Sequence, residues 1–455
     1  MKDVKYQPII GLEVHVELKT KSKMFCSCSA EYFGKDPNTH TCPVCLGLPG
    51  ALPVPNKTAI DWCIMIGLAL NCKIPLTSKF DRKNYFYPDL AKGYQISQYD
   101  KPFAINGLLK IKNQKLKIKN IRIRRVHMEE DTAKLIHSDE GFSLVDFNRS
   151  AVPLVEIVTE PDFENSTDVK EFLQKLQQIV RYLGVSNANM EKGEMRLEPN
   201  ISLNLKNQTS KIKTTNQNSN LNNKLPPYKV EVKNINSFKF VEKAINYEIQ
   251  RQEKILESGK IPEQETRGWD EKKQTTVTQR SKEQAHDYRY FPEPDIPPFR
   301  WTENQIRQLA NQMVELPDQK FERFKKEYSL INYDAEILTR EKNTAEYFEE
   351  CVKVNQTDAK TIANWIINKR INIKQVLPAE LIQQILKSTQ TTTISDDELE
   401  KIVKEVLLEN KKAINDYKNG KTQVLGFLIG SVNRKLKDKK VNTETIRNTI
   451  IKKLN

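Results

Sequence analysis

Hydrophobic and polar positions alternate strictly over Gly11-Leu12-Glu13-Val14-His15-Val16-Glu17-Leu18. Leu12, Val14, Val16 and Leu18 share one face, and Glu13, His15 and Glu17 share the other, the period of a half-buried strand. The pattern returns over Met195–Leu205, where Arg196, Glu198, Asn200, Ser202 and Asn204 form the polar face, and over Lys229-Val230-Glu231-Val232-Lys233. It returns again in Ile121–Arg124, running into His127-Met128-Glu129-Glu130-Asp131. Val152 to Val158 is apolar except for Glu156. A carboxylate in such a run must be paired or bind a metal, because burying it alone costs several kcal/mol. These segments predict a curved, mostly antiparallel sheet with one face of carboxylates, amides and cations, suited to a metal–phosphate ligand.

The period changes elsewhere. Asp168–Leu183 carries an apolar stripe at helical spacing, with Ser166 and Thr167 before it and Gly184 after it. A second helix is expected over Phe238–Ser258, closed by Gly259. Residues 206–227 form an Asn-, Lys-, Thr- and Gln-rich tract, read as a low-complexity loop joining two strands. Pro292, Pro294, Pro297 and Pro298 end the first domain. From Trp269 to Asn419 there is no glycine, which fits a helical stretch with few tight turns. Helices are expected there over Glu303–Glu315, Asp358–Asn368, Ala379–Ser388 and Asp396–Asn410. The fold class is therefore α+β: a sheet with flanking helices, then an all-α domain and a small helical tail. The expected domains are 1–298, with an insertion at about 24–50, then 299–410 and 411–455.

A chain of 455 residues is long enough for two or three cores. Its formal charge of +14 points to a polyanionic partner such as nucleic acid. Biased codon usage toward Lys and Asn also produces such a balance. No apolar run is long enough to span a membrane and no signal-peptide pattern opens the chain, so a cytoplasmic protein is expected. Seven cysteines in this length do not make a disulfide scaffold. Four of them are paired closely: Cys26-x-Cys28, then Cys42-Pro43-Val44-Cys45. That spacing predicts a structural four-cysteine zinc site, with no open position for catalysis. Absent are a Gly-x-x-x-x-Gly-Lys-Ser/Thr loop, a Gly-x-Gly-x-x-Gly fingerprint and any adjacent glycine pair. A nucleotide must therefore be held by side chains and metal, and glycine-rich nucleophile loops are excluded.

Several runs are specific enough to carry a resemblance. Ile10–Leu18, Lys79-Phe80-Asp81-Arg82-Lys83-Asn84-Tyr85-Phe86-Tyr87-Pro88-Asp89 and His127–Asp131 are three of them. Asp146-Phe147-Asn148-Arg149, Val155–Asp162 and His286–Asp295 are the others. Together they closely resemble the B subunit of the bacterial glutamyl/aspartyl-tRNA amidotransferase, over essentially the whole chain. The resemblance implies a ligase component that binds Glu-tRNA(Gln) or Asp-tRNA(Asn) and uses Mg2+ and ATP to phosphorylate the side-chain carboxylate. Ammonia from the amidase, the A subunit, then displaces phosphate, and a small C subunit completes a heterotrimer. The missing amidase motif fits that division.

Carried over residue by residue, the resemblance places Glu13, His15, Glu130, Glu156 and Glu198 at the catalytic magnesium, with Glu129 as a neighbour. Lys83, Asn148, Arg149, Asn200 and Lys233 are the implied ATP and phosphate contacts. The family usually has aspartate where this chain has Glu198, and not all members carry the four cysteines. In the tail, Lys418, Lys421, Arg434, Lys435 and Lys437 are the implied tRNA contacts. Two other readings compete: a non-catalytic tRNA-binding scaffold, and a stand-alone metal-dependent hydrolase. Acid-lined strands argue against a bare scaffold, because anions repel a phosphate backbone unless a metal intervenes.

Overall fold

The computed structural model describes residues 5–112, 117–138, 140–205, 225–281, 288–354, 357–389, 395–418, 421–436 and 441–454. Most of the tract at 206–227 lies outside them, as does Lys437.

Strand β1 (Tyr6–Glu17) opens the chain and helix α1 (Lys57–Ala69) follows the cysteine segment. Next come the short strands β2 (Thr77–Ser78), β3 (Asp81–Asn84) and β4 (Tyr94–Ser97), and the long pair β5 (Ala104–Lys112) and β6 (Ile118–Glu130). A small hairpin of β7 (Lys134–His137) and β8 (Ser143–Asp146) precedes β9 (Pro153–Thr159), α2 (Ser166–Leu183) and β10 (Met195–Leu205). Then follow β11 (Val230–Lys233), α3 (Phe238–Glu257), β12 (Glu265–Asp270), β13 (Thr275–Ser281), β14 (Phe291–Pro292) and β15 (Phe299–Arg300).

Eight strands form one sheet in the order β13-β12-β11-β10-β1-β9-β6-β5. Every pairing in it is antiparallel except β11 with β12. Strand β1 is central because its apolar residues Leu12, Val14 and Val16 are fully buried in one core with Phe172, Leu176, Val180 and Ile64 from the helices. Those helices start where side chains can receive orphan amides: Asn165 caps α2 through Asp168 N, and Ser237 caps α3 through Phe240 N. Gly184, in the left-handed conformation, ends α2.

Pro199 lies inside β10, opposite Leu12 of β1. Proline cannot donate to a ladder, so an interior strand tolerates it only where one neighbour is released. The ladder from β10 to β11 holds only Asn200↔Glu231 and Ile201↔Val230, so the sheet opens on that side at Pro199.

The chain divides into two compact units, Met1–Lys320 and Phe321–Asn455. The sequence placed a boundary at Pro298. The first unit runs further because α4 (Glu303–Asn311) buries Leu309 in the sheet's core, with Ile306, Met313 and Leu316 against it. The second unit is helical among its described residues. Phe324, Leu338, Phe348, Ile362 and Ile382 form one core, on α5 (Pro317–Glu327), α6 (Asn332–Thr339), α7 (Lys342–Lys353), α8 (Ala359–Asn368) and α9 (Pro378–Thr389). A further core joins α10 (Asp396–Glu409), α12 (Val424–Leu436) and α13 (Thr443–Leu454) through Leu399, Val403, Leu428, Val432 and Ile450, with Ile414 and Tyr417 of α11 (Lys411–Lys418) packed against it. The tail's core thus includes α10, which the sequence assigned to the preceding domain. Among the described residues no helix is long and apolar enough to cross a membrane.

Two glycines separate packing from propensity. A Cβ on Gly107 meets the Cys72 sulfur and lies 2.7 Å from the Leu70 carbonyl, which already accepts from Leu108 N at 2.8 Å. Gly426 sits on an exposed position of α12 with open space around it. Gly107→Ala should lower unfolding free energy by about 1–3 kcal/mol through overpacking. Gly426→Ala should raise that of the helical unit by up to about 1 kcal/mol. Denaturant titrations of both variants check the opposite signs.

Candidate active site

The polar face of β1 meets its neighbours in register. His15 lies opposite Glu156 of β9 and Arg196 of β10, and Glu13 lies opposite Glu198 of β10. Strand β6 brings His127 opposite Glu156. A first cluster results: His15 Nε2 is 3.4 Å from Glu156 Oε2 and 3.9 Å from Glu129 Oε2. Glu129 is steadied from β4, receiving Ser97 Oγ at 2.7 Å and Gln95 Nε2 at 3.1 Å, with Lys83 Nζ 3.6 Å away. His15, Glu129 and Glu156 bring one donor atom each within 4.8 Å of one another, so they could hold a metal ion.

A second cluster lies two residues along β1, about 7 Å in strand geometry. Glu13, Glu198 and Glu231 also bring one oxygen each within 4.8 Å of one another. Asn200 Nδ2 donates to Glu13 Oε1 at 3.0 Å, Thr266 Oγ1 donates to Glu231 Oε2 at 2.8 Å, and Lys233 Nζ is 2.9 Å from Glu198 Oε2. Asn200 Oδ1 is buried without a hydrogen-bond partner among the described residues.

The two clusters differ electrically. Burial opposes charge on Glu156, yet His127 and His15 hold its carboxyl well below the ordinary range. Burial opposes Glu129 as well, and Lys83 foremost holds it down at about 2. His15 suffers the same desolvation, but Glu156, then Glu198 and Glu129, raise it to about 9. Glu13 is pushed up, first by burial and then by Glu156, Glu231 and Glu198. The second cluster is therefore short of positive charge.

Not every expected residue belongs here. Glu130 follows Glu129 on β6, and successive side chains point to opposite faces. It accepts from Lys92 Nζ at 2.7 Å and from Ile96 N at 2.9 Å, away from His15. Glu129 takes the place expected for Glu130. Asn148 is fully buried and ties down the cysteine segment, receiving His40 N at 2.7 Å and donating to Asp36 O at 2.7 Å. Arg149 donates to the Thr132 and Ala133 carbonyls at 2.9 Å each and lies 3.6 Å from Asp131. It belongs with Arg196, Asp131 and the Glu17–Tyr32 hydrogen bond at the far end of β1.

The four paired cysteines converge. One sulfur from each of Cys26, Cys28, Cys42 and Cys45 lies within 4.8 Å of the others, and Cys45 Sγ is 3.8 Å from Cys42 Sγ. Ligands at about 2.3 Å on tetrahedral corners are about 3.8 Å apart. Cys42 N donates to Cys45 Sγ at 3.1 Å, the amide-to-sulfur turn of a metal knuckle. Hydrogen bonding from Cys26, foremost, lowers the Cys45 thiol to about 5, whereas burial raises Cys28 to about 11. The donor set fits a structural metal.

Comparison with known proteins gives the same frame. The GatB/GatE catalytic domain matches residues 8–307, and the GatB domain matches residues 370–454. The aspartyl/glutamyl-tRNA(Asn/Gln) amidotransferase B subunit of Thermotoga sp. (strain RQ2) is 46% identical over 99% of this chain and 99% of its own. The protein of that name from Persephonella marina is 47% identical over 94% of this chain and 95% of its own. The chain belongs to the GatB family.

Within this GatB-family chain, sequence reasoning missed Glu231, His127, Gln95 and Ser97 as site residues. Glu231 sits in an alternating run and was legible by period alone; Gln95 and Ser97 reach Glu129 only through tertiary packing.

The raised His15 pKa has a consequence for stability. A basic group whose folded pKa exceeds its unfolded value near 6.5 contributes stability below about 6.5 that is lost as pH rises through about 9. Glu17, lifted to about 8 chiefly by burial, acts in the same direction. Cys45, lowered to about 5, acts in the opposite direction when the knuckle is empty, so His15 is read as a difference: between pH 6.5 and 9 the unfolding free energy of the metal-free protein should fall more, or rise less, than that of His15→Gln. Urea titrations across the range measure it.

Proposed function

We propose that this chain is the B subunit of a tRNA-dependent amidotransferase whose sheet face phosphorylates the side-chain carboxylate of Glu-tRNA(Gln) or Asp-tRNA(Asn). The observation that carries the reading is the pair of donor clusters on β1, flanked by Lys83 and Lys233, in a chain without a phosphate-binding loop. A carboxylate is a poor acyl donor. Its oxygen attacks the γ-phosphorus of ATP, ADP leaves, and the acyl phosphate is then open to ammonia. Ammonia loses a proton as inorganic phosphate departs, leaving the amide.

The oxygen-only set of Glu13, Glu198, Glu231 and the unpartnered Asn200 Oδ1 fits Mg2+, which takes hard oxygen ligands. Magnesium, when bound, offsets phosphoryl charge. Lys233 and Lys83, each held by a carboxylate, present ammonium groups on the same face for phosphate oxygens. Glu198 in place of the family's usual aspartate keeps the charge on a longer arm. The chain supplies no ammonia of its own. An amidase (the A subunit) as source, and a small C subunit that joins the two, complete the reading as a cytoplasmic heterotrimer.

With the reconstituted heterotrimer, Glu-tRNA(Gln) and Asp-tRNA(Asn) should each be assayed for stimulated ATP hydrolysis. Glu13→Gln should reduce that hydrolysis at least about 100-fold, the several kcal/mol a metal's charge supplies, with tRNA binding retained. Near-normal turnover would contradict the assignment.

The four-cysteine knuckle is read as a zinc site that shapes the segment between β1 and α1. Metal analysis of protein purified without chelator should give about one zinc per chain, and Cys45→Ala should lose it.

The tail is read as a contact to the tRNA body. Lys418 and Arg434 are exposed, whereas Lys421 pairs with Asp416 at 3.0 Å and Lys435 with Glu409 at 2.6 Å. Lys418→Glu with Arg434→Glu should weaken tRNA binding and reduce the slope of log affinity against log salt by about 1 per lost phosphate contact. Titrations at several salt concentrations decide it; unchanged slopes would leave the tail without this role.

A further inference from the structure

Strand β6 brings one more charged side chain to the polar face, and phosphoryl transfer, as proposed, leaves it without a task. Arg125 lies opposite Val158 of β9, Val158 lies opposite Glu13 of β1, and Glu13 lies opposite Glu198 of β10. Carboxylates thus stand at one end of this row and a guanidinium at the other. Two strand spacings, about 10 Å, separate the Arg125 and Glu13 backbones. The register shift of β6 lies before Arg125, so strand parity puts it on the side of His127 and Glu129. Its electrostatic neighbours agree. Burial, foremost, pushes the Tyr290 phenol up to about 12, Glu129 and Glu156 add to that, and Lys83 and Arg125 oppose it. The preceding arginines of β6 are matched to acids, Arg122 with Asp162 and Arg124 with Glu160. Lys83 and Lys233 stand against Glu129 and Glu198. Arg125, half-buried, forms no ion pair among the described residues, and its Nε is buried without a hydrogen-bond partner there. Arginine cannot shed its proton, so burial leaves the charge in place with a donor unmet. Only Nε is sealed off, and the terminal nitrogens stay reachable.

We propose that Arg125 grips the phosphate chain of the nucleotide, across Val158 from the oxygen cluster of Glu13, Glu198 and Glu231. This rests on the phosphoryl-transfer reading and adds to it a residue that the sequence did not single out. A guanidinium matches phosphate through two parallel N–H···O bonds, a fork that lysine lacks. The row favours a phosphate chain over the carboxylate carried on tRNA. A triphosphate has anionic oxygens along its length, so one chain can meet both ends of the row, whereas a lone carboxylate meets one. Arg125 also fills the post that the resemblance gave to Arg149, whose guanidinium is bound to the Thr132 and Ala133 carbonyls.

The test uses the reconstituted heterotrimer with saturating Mg2+ and the non-hydrolysable β,γ-imido analogue of ATP. Calorimetry measures analogue affinity for the unsubstituted protein, Arg125→Gln and Arg125→Lys. Arg125→Gln should weaken the analogue at least about 10-fold, the worth of hydrogen bonds to a charged group, and leave Glu-tRNA(Gln) affinity unchanged. Arg125→Lys keeps the charge and loses the fork, so it should recover only part of that loss. The lysine variant also tests the fork should Arg125→Gln fail to fold. A folded variant of either kind that binds the analogue as tightly as the unsubstituted protein would overturn the proposal. So would lost tRNA affinity with analogue affinity intact, which would give Arg125 to the tRNA instead. In both cases the unsubstituted heterotrimer still binds the analogue, and the phosphoryl-transfer reading stands. An unsubstituted heterotrimer that binds no analogue would sink that reading and this proposal with it.

Discussion

Like charges at close range on one sheet face are the constraint around which the first unit is arranged. Glu13, Glu129, Glu156, Glu198 and Glu231 stand on neighbouring strands, all of them buried or half-buried. Such a set repels itself and loses hydration, so each member needs a counter-charge or directed donors. The protein meets the need unevenly. Glu156 and Glu129 are surrounded by His15, His127, Lys83, Ser97 and Gln95. The cluster of Glu13, Glu198 and Glu231 has Lys233 and neutral donors, and there burial and mutual repulsion raise the Glu13 carboxyl. A site left short of positive charge in an otherwise satisfied sheet is where a cation gains most.

That unevenness comes from backbone features. Pro199 breaks the β10–β11 ladder, and just beyond the break Glu231 and Lys233 stand beside Glu198 and Asn200. A register shift in the β6–β9 ladder between Ile123 and Arg125 sets the phase that brings His127 opposite Glu156. From there strand parity sends Glu129 to the polar side and Glu130 to Lys92 and the Ile96 amide on the other. Neighbouring glutamates in one short run thus acquire different work, one in the donor cluster and one in an internal ion pair.

The cysteine segment is tied to the same sheet by polar side chains. Asn148 and Asp146 hold the backbone at Asp36, Asn38 and His40, while Tyr32 donates to Glu17 at the end of β1. A metal at the four sulfurs would stiffen a segment that reaches the end of the strand carrying both donor clusters, and all-sulfur donors would leave no open position for substrate.

The alternation of Leu12 to Leu18, Met195 to Leu205 and Lys229 to Lys233 determined by itself that these segments are strands and which side chains share a face, because a period of two allows no other assignment once one face is buried. The four sulfurs were legible for a similar reason: two close pairs constrain their own geometry. What the tertiary structure alone decided is the grouping across strands. The resemblance implied Glu130 at the metal, and the register of β6 in the sheet instead turns Glu129 toward His15. The resemblance also implied Asn148 and Arg149 as phosphate contacts. In this structure Asn148 bonds backbone groups of the cysteine segment, and Arg149 bonds the Thr132 and Ala133 carbonyls beside Asp131. Periodicity is a property of one strand and survives in a sequence; which strand lies beside it, and in which register, is set by packing between distant segments.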